Sequence, residues 1–166
     1  MQWHAMAYGY AVLMNDQTVS AAATLILIRP PAATSLRIVR VWASQKGSTT
    51  SSQIKIQIGR KASAFPSTLT GFTPQKLDEK DAASQVTGGT SGAAGTAGVL
   101  ATSEGAGTFT SVIADAFNSL TGYLWVPGPR EEIIVRANSA DAFVVRFPET
   151  PAVTTNWHAG VIFEEM

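Results

Sequence analysis

The sequence predicts an all-β protein: an antiparallel jelly-roll sandwich of about eight strands, with one short helix and one long glycine-rich loop. Three observations predict it. Apolar residues recur with a period of two in segment after segment. Clusters of Pro, Gly, Ser, Thr, Asn and Asp separate those segments. Only one stretch of the chain has helical character. At 166 residues the chain is expected to fold as one domain over 1–166 with a sizeable core.

Taken in order, residues 2–13 read as a first strand, with 1–14 forming an N-terminal arm or an edge strand. Strands follow at 18–29 ("TVSAAATLILIR") and 35–44 ("SLRIVRVWAS"). In "SQIKIQIGR", Ile54, Ile56 and Ile58 face one way while Lys55 and Gln57 face the other. The stretch 73–84 ("TPQKLDEKDAAS") has a Thr-Pro start and a charged middle, which predicts a helix of about two turns. Residues 86–108 ("VTGGTSGAAGTAGVLATSEGAGT") hold seven of the fourteen glycines and a single charge, which predicts an extended surface loop.

Strands at 107–117 and 121–126 come next. In "EEIIVRAN", Ile133, Val135 and Ala137 oppose Glu132, Ile134 and Arg136. In "AFVVRFP", Phe143, Val145 and Phe147 oppose Val144 and Arg146. The last strand, "NWHAGVIFEE", sets Trp157, Ala159, Val161 and Phe163 against His158, Gly160 and Ile162. The connections "RPPAATS", "QKGSTTSSQ", "VPGPRE", "NSAD" and "PETPAVTTN" are turn chemistry.

Composition narrows the function. Twelve basic and twelve acidic residues cancel, and no basic run exceeds the pair Arg60-Lys61, so no nucleic-acid partner is expected. The longest strongly apolar run, 21–28, is far short of the roughly twenty residues a membrane-spanning helix needs. With no basic n-region at the start either, a soluble protein with no membrane partner is expected. There is no cysteine, hence no disulfide or thiolate chemistry. Charged residues are 14% of the chain against a usual figure of about 25%, a surface that invites association.

Searched for catalytic patterns, the chain offers little. No Gly-Lys pair exists to complete a Walker loop, and Gly92, Gly95 and Gly98 are not followed by the amphipathic helix of a dinucleotide fingerprint. His4 and His158 are the whole imidazole supply, a weak set for a jelly-roll metal enzyme, which normally clusters two or three histidines with a carboxylate. No G-x-S-x-G elbow occurs. The carboxylates of "LDEKD", "REE" and the terminal "EE" sit beside turns or the chain end, as solvated charge does. The sequence therefore predicts a protein that is not an enzyme, with no catalytic or metal-binding residue and no cofactor.

Other residues suggest protein contacts. Trp3, Tyr8 and Tyr10 lie in an almost uncharged N-terminal segment, and such side chains combine contact area with a polar tip. Gly92, Gly95 and Gly98 would let the loop backbone lie close against another surface. Arg136 and Arg146 fall on the face opposite the apolar one, positioned to meet water or a neighbouring subunit's carboxylate.

From residue 36 onward, "SLRIVRVWASQKGSTTSSQIKIQIGRK", "FTPQKLDEKDAAS", "LWVPGPREEIIV" and "GVIFEE" together resemble small jelly-roll structural proteins of tailed bacteriophages, the head decoration or cement proteins. The resemblance is one of pattern and layout over about three quarters of the chain and rests on no single motif. It implies a virion protein on the capsid surface, without catalytic residues, forming a homo-oligomer (commonly a trimer) and binding the major capsid protein. A carbohydrate- or receptor-binding module of a phage fibre is the main alternative, with Trp42, Trp125 or Trp157 as a sugar-stacking platform. An enzyme with a carboxylate pair or cupin-like site is the other.

Overall fold

The computed structural model describes residues 8–166. Thirteen strands and no helix are present among them. They run β1 (Tyr8–Val19), β2 (Ala23–Ile28), β3 (Leu36–Lys46), β4 (Gln53–Ala62), β5 (Thr70–Gly71), β6 (Gln75–Lys76), β7 (Thr87–Gly88), β8 (Thr96–Val99), β9 (Thr108–Asn118), β10 (Tyr123–Trp125), β11 (Ile133–Val135), β12 (Asp141–Phe147) and β13 (Thr155–Glu165).

Two antiparallel sheets pack face to face. The front sheet has the order β10-β3-β13-β1-β6, with β11 also pairing to β3. The back sheet has the order β5-β8-β2-β12-β4-β9, with β7 adding the one parallel pairing, to β8. The C-terminal strand β13 lies centrally in the front sheet, held by β3 on one side and β1 on the other. Its alternation is the one the sequence predicts. Trp157, Ala159, Val161 and Phe163 point into the core, while His158, Gly160 and Ile162 take the outer face.

The core is sealed by aromatic contacts. Trp157 is fully buried and meets Phe147 and Phe117 edge-on, at 4.9 and 6.0 Å between ring centroids. Each large apolar side chain buried this way stabilises the fold by about 1.5–3 kcal/mol. Strand β12 is buried on both faces, unlike the half-buried alternation expected of it. The reason is a second cluster on the outer side of the back sheet. There Leu27, Leu69, Ala101, Ala142 and Val144 pack together beneath Phe65 and Phe109. The chain between β4 and β9 folds back over that face and covers it.

The expected helix at 73–84 does not form. Gln75 and Lys76 pair with Ala11 and Tyr10 of β1 instead, and the Asp78 carboxylate accepts the Lys80 N–H at 2.9 Å in a tight turn. Leu77 is the only large apolar residue there, so a two-turn helix would have no apolar stripe to bury. The extended loop expected at 86–108 is also more ordered than predicted. Its middle is β8, which pairs with β2 through Ile26–Val99, Leu27–Gly98 and Ile28–Ala97. Ala97, Gly98 and Val99 are buried. Small side chains let this backbone join the sheet rather than drape over a neighbour. The first strand also runs further than expected, to Val19, through an irregularity between Met14 and Gln17 where Asp16 takes φ 55°.

Candidate functional site

Of the sequence-predicted contact residues, Trp3 lies outside the described residues, as does His4. Tyr8 is exposed at the start of β1, opposite Glu165. Tyr10 belongs to the core: it is fully buried, its ring lies 5.7 Å from that of Phe163, and its hydroxyl donates to the Ala82 carbonyl at 3.0 Å. Burial, with the negative charges of Glu165 and Asp81, pushes its phenol above the ordinary tyrosine value. Tyr10 shares its inward face with Val12 and Met14, whereas Tyr8 on the same face lies at the strand's start and stays exposed, which the N-terminal sequence alone did not decide.

The three glycines serve the chain's own packing. Gly92 and Gly95 hold φ of 65° and 70°, the left-handed region that favours glycine. A Cβ on Gly98 would meet the Gly89 carbonyl oxygen at 2.6 Å and Leu69 Cβ at 2.8 Å. Their close approaches are therefore within one molecule.

Arg136 is exposed, beside a groove at one end of the sandwich. Arg146 points out from the back sheet, as expected, yet it is covered rather than free. Its Nε donates to Gln57 Oε1 at 3.0 Å, its guanidinium lies 3.9 Å from the Phe109 ring centroid, and Glu104 Oε2 is 3.7 Å away. Next to it Lys61 is buried, its ammonium donating to the carbonyls of Glu104 and Gly105. Thr24 donates to the Glu104 carboxylate at 3.0 Å. This network pins the covering segment onto the back sheet. Burial lowers the Lys61 ammonium below the ordinary lysine value, Glu104 opposing and Arg146 reinforcing the effect. Lys61 is almost wholly enclosed in this network, while Glu104 and Arg146 at its rim keep some exposure.

The surface most open to a partner is one the sequence did not single out. Strand β9 ends the back sheet, pairing with β4 on one side only. It has eleven residues, one formal charge (Asp115) and one buried residue, Phe117. Of the eight exposed large hydrophobics among the described residues, Val112, Leu120, Leu124 and Val126 all fall in β9, β10 or their flanking turns. Val112 sits at a bulge in the β4–β9 ladder and lines a groove with Trp125, Ile113 and Arg60. The trace in the sequence was the failure of Phe109, Val112 and Ile113 to keep a single alternation phase.

Among the described residues no three His, Asp or Glu side chains gather as a metal site. His158 stands beside Asn15, its Nδ1 at 2.6 Å from Asn15 Oδ1, away from any carboxylate pair. The three tryptophans proposed as sugar platforms separate clearly. Trp157 is fully buried and excluded, Trp125 is half-buried in the groove, and Trp42 is half-buried on the outer face of the front sheet. Comparison with protein-family models, curated proteins and solved structures finds no match to this chain.

Proposed function

We propose that this chain is a non-enzymatic virion structural protein that decorates and stabilises a phage capsid. In this reading it self-associates as a homo-oligomer, a trimer, on the capsid surface, and it contacts the major capsid protein. The sandwich is read as a jelly roll. Strand order supports that: β1, β2, β3 and β4 alternate between sheets, and the runs β10-β3-β13-β1 and β2-β12-β4-β9 have the arrangement of two interlocked Greek keys.

The observation that carries the reading is the flank formed by β9 and β10. A long edge strand with unpaired backbone groups, little charge and no proline is a liability in an isolated monomer. Covering it with a second copy removes both the open edge and the exposed Val112, Leu124 and Val126. Repeated around a symmetric assembly, many modest contacts raise resistance to rupture by multivalency.

Light scattering on the purified chain tests this. The expected mass is that of three chains, falling to one chain in a Val112→Lys/Val126→Lys variant whose thermal midpoint is unchanged within a few degrees. A wild-type mass of one chain at about 100 μM protein, a concentration at which even weak specific interfaces assemble, would overturn the reading.

A further inference from the structure

The outer face of the front sheet carries a second feature, built within one chain and independent of the β9 flank. Trp42 on β3 stands opposite Gly160 on β13, between Leu124 on one side and Leu13 on the other. A Cβ placed on Gly160 would lie almost equally close to Cζ2, Cε2 and Cη2 of Trp42, and nearest to Cζ2. Cε2 and Cη2 flank Cζ2 in the ring, so a point beyond the ring's edge would be much further from both. The point is therefore above the ring face. The indole lies face-down on the β13 backbone, where only glycine leaves room, and its opposite face is turned outward.

One row along the same face are polar groups. His158 Nδ1 accepts the Asp16 N–H at 3.3 Å and meets Asn15 at 2.6 Å. Whichever way the Asn15 amide is turned, one of its polar atoms and His158 Nε2 make no hydrogen bond to another described residue. Leu13 and Phe72 wall the depression on the β1 side. The nearby charges, Lys46 and Asp16, face each other at 3.5 Å, so no net charge is left to select an ion.

We propose that this depression binds a neutral carbohydrate. One pyranose ring stacks the C–H face of its ring on Trp42, and Asn15 and His158 hydrogen-bond its hydroxyls. An aromatic surface flanked by a few convergent polar groups suits a ligand with one apolar face and a polar rim. A wholly apolar guest would leave the amide and imidazole unpaired, at a cost in affinity.

Saturation-transfer NMR on the full chain, with D-glucose, D-galactose, N-acetylglucosamine and the β-1,4-linked trimer of the last as probes, tests it. At least one probe is expected to bind. Trp42→Ala should abolish the signal and the exposed Asn15→Ala should weaken binding by about tenfold, whereas Trp125→Ala should leave it unchanged. Thermal melts of Asn15→Ala, expected to match the wild type, separate lost contacts from lost folding. Failure of every probe, or binding that survives Trp42→Ala, would overturn the proposal. Because the site needs one chain only, that failure would leave the self-association reading standing, and a monomeric mass would leave this one standing.

Discussion

Lys61 is the residue whose chemistry departs furthest from its usual setting. It is almost wholly buried beneath the 101–107 segment, with Glu104 and Arg146 as the charged groups facing it and Thr24 and Gln57 completing the network. Removing its counter-charge should cost more than removing the lysine. Glu104→Ala leaves two cations together and is expected to destabilise by about 2 kcal/mol, below the figure for a fully buried pair because Glu104 keeps some exposure. Lys61→Met, apolar and unbranched, should cost less than half as much, and urea denaturation of both variants checks the order. The pH dependence has a definite sign. A lysine whose folded-state pKa is depressed penalises the fold while it is charged, and the penalty fades as pH rises through that lowered value towards the unfolded one. The wild type should therefore gain stability relative to Lys61→Met as pH rises from the lowered value of the folded lysine to the ordinary lysine value. Tyr10 and Tyr123, both raised by burial, act in the opposite sense only in the alkaline range where unfolded tyrosine ionises, and they do so equally in both proteins.

Among the elements, β8 is the least expected. A stretch rich in glycine and alanine has low strand propensity, yet Thr96–Val99 pairs with β2, β5 and β7. Tertiary fit outweighs propensity here because the strand sits where side chains have no room. Gly98→Val would drive a side chain into the Gly89 carbonyl and Leu69, and a loss of about 2 kcal/mol is expected by thermal or urea unfolding. The same geometry makes deletion of 88–107 a poor probe of self-association, since it removes β8 and the Glu104 anchor together. Substitution on β9 is cleaner, because Val112 is about half exposed and lies outside the buried core.

For the whole molecule, the distribution of charge decides how assembly should respond to conditions. Strand β9 itself carries only Asp115 and is otherwise threonine, serine, alanine, asparagine and apolar residues, so edge-to-edge contacts along it draw little on ion pairs, although Arg60, Arg130, Glu131 and Glu132 border the groove beside it. Raising the salt to about 1 M, where the Debye length falls to about 3 Å, should leave the oligomeric mass unchanged by light scattering. An interface resting on Arg136 and the acidic residues near it would dissociate under the same conditions.

The sequence by itself determined the all-β class, the long strands and the faces of β4 and β13, because a period of two written in isoleucine, valine and aromatics has one stable reading at a sheet surface. It also pointed to Trp42, though not apart from Trp125 and Trp157. Tertiary structure alone decided what covers what. The burial of Tyr10, Val144 and Lys61, the recruitment of 96–99 into a sheet, the exposure of β9 and the bed that Gly160 makes for Trp42 all depend on partners far away in the chain. Local periodicity reports which residues share a face. Whether that face meets water, another segment or another molecule is set by long-range packing, which no single window of sequence contains.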